Sequence, residues 1–306
     1  MPAAPQRSLD AVPLEQRPLE LSIASLCRLD DALVAQVRSG QDLRRIAVWA
    51  VKLTLVSGGL YGFVFGLWRA PEQALYAAIK LPLLLLSVVA ASAVINGFLA
   101  LVLRARIGVM QGLVAILLSL SVAALMLAAL APVALLFVLS VPGPGHPSAT
   151  SDELYRTAEY VLLFHTVVVG ACGLAGNLRL FSLLQRLAPS RAIARRVFGS
   201  WLLVDGFVGT QLSWIFRPFL CKPTLEPEFV RQDALSGNFF EELVRIVGPW
   251  LNDSQAGWPI AVAFGIVFGL ALALVRRRPP APTARPGSDL GGPYRSPVAA
   301  PETESR

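Results

Sequence analysis

The chain has 306 residues, of which 55% are hydrophobic and 15% are charged, and its mean hydropathy is +0.59. Soluble domains carry about 25% charged residues, so this composition excludes an ordinary soluble domain and predicts a polytopic membrane protein. The net charge of +7 comes from Arg-rich stretches beside apolar runs, which we interpret as a signal for membrane orientation. We therefore expect no nucleic-acid partner.

The N-terminal segment 1–45 is predicted to be a cytosolic tail that contains one amphipathic helix. Its apolar residues recur at helical spacing, with polar residues between them, and they are Leu26, Leu29, Leu33 and Val37. Two interpretations stay open. The helix either lies in the plane of the inner leaflet or packs as a cytosolic helix on the bundle.

Six apolar runs follow that are long enough to cross the hydrocarbon, for which a helix needs about 20 residues. The predicted fold is therefore an all-α bundle of six transmembrane helices over residues 46–275. Pro132 lies inside the third run and should break or kink it, leaving a short outer piece over 131–141. The six runs are Ile46–Trp68, Leu75–Leu103, Val109–Val141, Tyr160–Leu184, Phe198–Phe216 and Trp258–Val275.

The distribution of Arg between the runs predicts the orientation. Arg residues are dense before run one, between runs two and three, between runs four and five, and after run six, whereas the alternate connections also carry acids. Because Lys and Arg accumulate in cytoplasmic loops, both termini are predicted to lie in the cytoplasm. The connection 217–257 then lies outside and is predicted to carry a second amphipathic helix. The Pro-rich tail 276–306 is predicted to be disordered.

Small residues recur every four positions in the first and last runs. Such ladders let two helix backbones approach closely, either within one chain or across a homodimer seam. Both alternatives stay open at this point. The first ladder is Thr54, Gly58, Gly62 and Gly66, and the second is Ala261, Gly265, Gly269 and Ala273.

A layer of polar side chains is predicted inside the membrane. Five of its members lie five to seven residues from the cytoplasmic ends of their runs, and Gln211 lies further out. A lone carboxylate near the midplane costs about 2.5–3.5 kcal/mol on insertion scales, so Asp205 should face the bundle and pair with Arg179 or Lys52. Lys52 could instead snorkel to the inner surface. The layer comprises Asp205, Arg179, Lys52, Asn96, Asn177 and Gln211.

Two roles for this polar layer stay open. It is either a clamp that fixes the register of the helices or a polar site on a solute or proton path. Without a basic partner the carboxyl of Asp205 would stay protonated, which favours a proton relay.

Other polar residues fit structural roles. His165 is predicted to be a hydrogen-bonded histidine of the bundle, and Cys172 a small packing residue. At the outer end of run five, Trp214 suits interface anchoring, while Arg217 and Pro218 should terminate the helix. The two His residues have no metal-ligand spacing to each other, so we expect no metal and no cofactor.

The stretch "GFVGTQLSWIFRPF" over 206–219, followed by "GNFFEELV" over 237–244, is similar to a group of uncharacterised bacterial polytopic inner-membrane proteins. "KLPLLLL" over 80–86 resembles the same group. The overall plan of a cytosolic amphipathic lead and a compact helical bundle also resembles Yip1-type membrane proteins. These resemblances imply a multi-pass protein of a bacterial cytoplasmic membrane and bring no catalytic residue.

Three functions are compatible with the sequence. The first is a non-enzymatic integral membrane scaffold that contacts the lipid bilayer, a second copy of the chain or another membrane protein. The second is a small-solute or ion transporter that uses the polar layer around Asp205. An intramembrane enzyme is the third, and it would need a pair of catalytic groups that the sequence does not display.

Overall fold

The computed structural model describes residues 21–144, 146, 149–220, 226–231, 234–237 and 241. The predicted sixth span, the second amphipathic helix, the tail 276–306, Gly265 and Gly269 lie outside the described residues. Within these ranges the chain forms seven α-helices and no strand. They are α1 Ile23–Arg28, α2 Asp31–Ser39, α3 Leu43–Leu67, α4 Pro71–Val102, α5 Val109–Ser140, α6 Ser151–Leu187 and α7 Arg191–Ile215.

Four of these helices, α3 to α6, are long and apolar enough to cross a membrane, which confirms a helical protein of membrane type. Helix α7 coincides with the predicted fifth span but is not among the four. Its middle carries Asp205, Thr210 and Gln211, which lower its hydropathy. The number of six spans and the cytoplasmic location of both termini stay predictions.

The N-terminal segment forms two short helices rather than the single one predicted. Ser22 and Ser25 exchange reciprocal hydrogen bonds at the start of α1. Leu29 then adopts a left-handed conformation at φ 51°, which ends α1 and lets α2 start at Asp31. The four predicted apolar residues are all buried, and most of them join the main hydrophobic core. This face therefore packs on the bundle, and the position of the segment relative to the membrane stays a prediction.

Two helix ends clamp this N-terminal pair. The Gln111 amide of α5 donates to the carbonyl oxygens of Val37 and Arg38 at 3.0 and 2.8 Å. The Arg186 guanidinium of α6 donates to the Leu29 carbonyl at 2.7 Å and to the Asp31 carboxylate at 2.7 Å. The tail, the start of α5 and the end of α6 therefore lie at one end of the bundle, here called the inner end.

The predicted break at Pro132 does not occur, because α5 is one helix from Val109 to Ser140. Pro82 likewise lies inside α4. A proline removes one backbone hydrogen bond, but a helix in an apolar surrounding keeps its remaining bonds because unpaired backbone groups find no water there. Neighbouring helices pack against α4 and α5, and this packing keeps both helices continuous through their prolines.

The glycine ladder of α3 packs against α4 of the same chain. A Cβ added to Gly62 would lie 2.9 Å from the carbonyl carbon of Ala77, and one added to Gly66 would lie 2.6 Å from that of Gln73. Gly58 is less tight, with a Cβ position 3.3 Å from Pro82 Cβ. Since backbone atoms occupy this space, the α3 ladder serves packing within one chain and is not available as a homodimer seam.

Candidate functional site

Helices α4 and α7 run antiparallel and place a polar cluster between them. The Trp201 indole N–H donates to the backbone carbonyl oxygen of Asn96 at 2.8 Å. One turn further along α7, the Asn96 side-chain amide donates to Asp205 Oδ1 at 2.8 Å, while the Ser92 hydroxyl donates to the Val88 carbonyl oxygen of its own helix at 2.8 Å. After another turn, Gly209 faces Val88. The four-residue steps on both helices keep the facing positions in register.

The predicted ion pair of Asp205 with Arg179 or Lys52 is not formed in the described part of the chain. Both cationic side chains are exposed on the outside of the bundle, whereas Asp205 is half-buried and turned toward α4. Matched depth on adjacent helices did not predict the facing direction, because Arg179 points outward from α6 while Asp205 faces the bundle and α4. A neutral donor, the Asn96 side-chain amide, takes the place of the cation.

The Asn96 side chain is unusual in its burial. The residue is 1% exposed, and its Oδ1 has no hydrogen-bond partner within the described ranges. Its Nδ2 meanwhile donates to Asp205. A primary amide carries two donors on nitrogen and an acceptor on oxygen, so a half-turn of the group exchanges which of them faces Asp205.

Asp205 also lines a cleft between α4, α5, α6 and α7 with a volume of about 260 Å³. Its walls are mainly aliphatic, and the polar residues at its surface are Asp205, Asn177 and Ser119. We call this space the cleft, and it is lined by Leu84, Leu85, Val88, Val89, Ile116, Ser119, Leu120, Ala123, Leu127, Val169, Gly173, Gly176, Asn177, Leu180, Asp205 and Gly209.

Two members of the predicted polar layer, Asp205 and Asn177, thus reach the same cleft. The other four members of the layer do not line the cleft; they are Asn96, Gln211, Arg179 and Lys52. The Asn177 amide donates to the Gly173 carbonyl at 3.0 Å within α6. This local bond holds the amide group against its own helix. Asp205 is the one charged residue among the described lining residues.

Two glycines of α6 determine the shape of the cleft. The Ser119 hydroxyl donates to the Gly176 carbonyl at 2.7 Å, and a Cβ on Gly176 would lie 2.8 Å from the Ser119 carbonyl oxygen. Helices α5 and α6 are therefore in close contact there. One turn earlier, a Cβ on Gly173 would meet nothing within 4 Å. The cleft opens at this position.

The outer end of α4 carries two buried polar residues that sequence reasoning did not single out as a site. The Lys80 ammonium donates to the carbonyl oxygens of Pro218 and Glu228 at 2.6 and 3.3 Å. It also lies 5.9 Å from the ring centre of Phe219. Gln73, which precedes Lys80 on α4, also donates to the Pro218 carbonyl, at 3.2 Å. Lys80 is therefore covered by the residues that follow α7.

The residues at the end of α7 form a compact turn. Helix α7 ends at Ile215 with Phe216 as its C-cap, so it stops before Arg217 and Pro218, the two residues predicted to terminate it. The Arg217 guanidinium lies 3.3 Å from the ring centre of Trp214, and the Trp214 indole donates to the Ser236 carbonyl at 3.3 Å. Trp214 is therefore engaged by protein groups on both its ring face and its N–H.

His165 is fully buried, and the Tyr61 hydroxyl lies 2.8 Å from its Nδ1, which confirms a hydrogen-bonded histidine of the bundle. Phe65 stacks on the same imidazole at 4.3 Å between ring centres. Cys172 is fully buried as well and belongs to the adjacent core. In the described ranges, no three His, Cys, Asp or Glu side chains converge on a metal site.

Among known proteins, no family model, no curated protein and no solved structure matches the chain. The resemblance to bacterial inner-membrane proteins and to Yip1-type proteins therefore stays a prediction.

Proposed function

We propose that the protein is a non-enzymatic integral membrane bundle that binds a lipid-like amphiphile in the cleft. The observation that carries this proposal is the cleft itself, about 260 Å³ of mainly aliphatic surface with one carboxylate in its wall. An apolar space with a few placed polar groups is the usual form of a small-molecule site.

The size of the cleft restricts the ligand. Sites for drug-sized molecules measure about 300–1,000 Å³, so a volume of about 260 Å³ fits a smaller molecule or a single alkyl chain. Such chains are abundant in a bilayer and reach the protein laterally. The exposed apolar residues Val167 on α6 and Phe207 on α7 support contact of these two helices with lipid.

The chemistry of the cleft favours binding over catalysis. Covalent catalysis needs a nucleophile within hydrogen-bond reach of a base. In the described lining, the Ser119 hydroxyl donates instead to a backbone carbonyl, and the Asn177 amide does the same. Neither group is left poised to attack a substrate.

A second candidate is a small-solute or ion transporter that uses Asp205. The observation that favours it is the carboxylate of Asp205, which has a neutral hydrogen-bond partner in Asn96 and no cationic partner among the described residues. Intramembrane carboxylates of this kind mark ion and proton pathways in many membrane proteins. Vesicle flux that is equal in the wild type and in Asp205→Asn would remove this candidate.

The proposed orientation places the inner end in the cytoplasm of a bacterial cell. At this end the tail contacts α5 and α6, and the exposed Arg44, Arg104, Arg106 and Arg191 lie in or beside connections of the same end. This clustering supports the positive-inside assignment. A reporter fused directly before α3 that reads extracytoplasmic would contradict it.

Ligand-dependent stability tests the proposed cleft. Octan-1-ol, an alkyl chain with a small polar head, is titrated onto the protein in nanodiscs of zwitterionic lipid while thermal unfolding is recorded. A ligand at 100 times its Kd raises the free energy of unfolding by about 2.7 kcal/mol. We expect this stabilisation in the wild type.

Two matched variants locate the binding. Gly173→Leu fills the cleft, whereas Gly170→Leu adds the same side chain three residues away on α6, outside the lining. A Cβ meets nothing within 4 Å at either position, so both variants should fold. Stabilisation by octan-1-ol should persist in Gly170→Leu and vanish in Gly173→Leu. An equal response of the two variants would refute binding in the cleft.

A further inference from the structure

We infer that Asp205 is an exchange site, at which a proton and the ammonium group of a small alkylamine bind alternately. This inference rests on the proposed binding of an amphiphile in the cleft and names the chemical class of that amphiphile. It goes beyond the cleft volume, because it depends on the groups that surround the carboxylate.

The side-chain amide of Asn96, which contacts Asp205, suits both charge states of the carboxyl group. With the carboxylate ionised, the Asn96 amide nitrogen donates to Oδ1 at 2.8 Å, as the structure shows. With the carboxyl protonated, a half-turn of the amide would let Asn96 Oδ1 accept the acid proton. An arginine partner would instead hold the group ionised, since it has no acceptor.

The burial of Asn96 makes this adaptability meaningful. Its Oδ1 is buried and has no partner in the part of the chain that the structure describes. A half-turn of the amide leaves one polar atom without a protein partner in either orientation. The two orientations therefore cost similar free energy, and neither charge state of Asp205 is strongly preferred by this neighbour.

Other titratable groups on the four helices do not reach Asp205. On α4, Lys80 is bound to the carbonyls of the outer segment. Helix α5 has no charged residue. On α6, His165 is bound by Tyr61, Cys172 lies in the core and Arg179 is exposed. The arginines of α7 lie in its first two turns, away from the carboxylate. Among the described residues the cleft thus has one ionisable wall group, which an ammonium ion would neutralise.

The ligand class follows from the wall and the carboxylate together. The aliphatic part of the cleft takes an alkyl chain, and Asp205 takes a cationic head that donates hydrogen bonds. A primary alkylammonium supplies both and, like the Lys side chain, stays charged up to a pKa of about 10.4. A neutral alcohol of the same chain length has no charge to offer the carboxylate.

The exchange step balances in atoms and charge. The protonated carboxyl of Asp205 and a free alkylammonium give the Asp205 carboxylate paired with the bound alkylammonium, and one proton goes to the buffer. The O–H bond of the acid breaks and no covalent bond forms to the ligand. Because one proton is released per ligand bound, the apparent affinity rises about tenfold per pH unit wherever Asp205 starts protonated.

The test compares octylamine with octan-1-ol on the full chain in zwitterionic nanodiscs, with protein-free nanodiscs subtracted. Affinities come from calorimetry at several pH values, and released protons are counted from the dependence on buffer ionisation enthalpy. The variants are Asp205→Asn, which keeps the shape of the side chain, and Arg179→Gln, which removes an exposed charge that touches no part of the cleft.

The wild type and Arg179→Gln should bind octylamine about tenfold or more tightly than octan-1-ol, since a hydrogen-bonded charge is worth that factor or more. They should also release up to one proton per amine. Asp205→Asn should lose the preference for the amine and the proton release while it still binds octan-1-ol.

Two results overturn the inference while the proposed function stands. One is equal affinity of the wild type for the two ligands, and the other is amine binding with no proton released at any pH. Absence of binding by either ligand would refute the proposed function itself. The proton count on the wild type needs no variant, so it decides the question even if Asp205→Asn does not fold.

Discussion

A single methyl group added to the α3 ladder should separate its packing role from a role in dimerisation. At Gly62 the new Cβ of Gly62→Ala would lie 2.9 Å from the Ala77 carbonyl carbon and 3.0 Å from the Ala78 Cα. Both atoms belong to the α4 backbone, which cannot rotate away as a side chain can. Helices α3 and α4 must therefore move apart to accept the methyl group.

The expected loss of stability follows from two opposing effects. Overpacking a well-packed site costs about 1–3 kcal/mol. Replacing Gly by Ala inside a helix gains up to about 1 kcal/mol of helix propensity. The net loss for Gly62→Ala is then about 0–3 kcal/mol. The matched control Gly170→Ala, where a Cβ meets nothing within 4 Å, should gain up to about 1 kcal/mol. The two variants should thus differ by about 1–3 kcal/mol.

The measurement is reversible unfolding in mixed detergent micelles, followed by helical circular dichroism, together with the oligomer mass from light scattering. We expect Gly62→Ala to be the less stable variant, with an oligomer mass equal to that of the wild type. Equal stability of Gly62→Ala and Gly170→Ala would refute the close α3–α4 contact. A reduced oligomer mass in Gly62→Ala alone would show that the ladder is a subunit interface.

Three further substitutions test individual contacts by thermal unfolding. Asp205→Asn should change stability by less than about 1.5 kcal/mol, because loss of a hydrogen-bonded charge is offset by relief of its desolvation; a loss above 3 kcal/mol would show a hidden cationic partner. Arg186→Gln should cost about 1–3 kcal/mol by leaving a carbonyl of the N-terminal pair unbound, whereas Arg179→Gln on the same helix should stay within about 0.5 kcal/mol. Lys80→Met should cost about 1–3 kcal/mol and speed proteolysis after α7, whereas the exposed Lys52→Met should do neither; similar behaviour of the two lysine variants would contradict the covering of Lys80.

Much of the helical plan could be predicted because it depends on local chemistry. Apolar runs of about 20 residues predict helices wherever backbone groups find no water. Runs one to five coincide with α3 to α7, and the predicted start at Val109 is the observed start of α5, whereas α7 begins at Arg191, before the predicted Phe198. Where the predictions failed, tertiary or environmental effects were responsible. The break at Pro132 was wrong because an apolar surrounding maintains the helix through a proline, and the single N-terminal helix was wrong because Leu29 is left-handed.

The polar layer shows where local reasoning ends. Counting residues from the span ends placed Asp205 and Asn96 at the same depth, and the structure joins them. The same count offered Arg179 and Lys52 as partners, and it had no information on helix rotation. The sequence analysis did not single out Trp201, yet its indole N–H donates to the backbone carbonyl of Asn96 and links α7 to α4.

The sequence by itself indicated an apolar membrane surrounding, the helical structure and the distance of each polar residue from the end of its helix, since these depend on hydropathy and on spacing along a helix. Only the tertiary structure decided which way each helix faces, and therefore that Asp205 meets an amide rather than a cation. It also decided that the ladder of α3 is filled by α4 and that a cleft remains beside Gly173. Rotation and close approach arise from contacts between residues far apart in the chain, which periodicity along one helix does not encode.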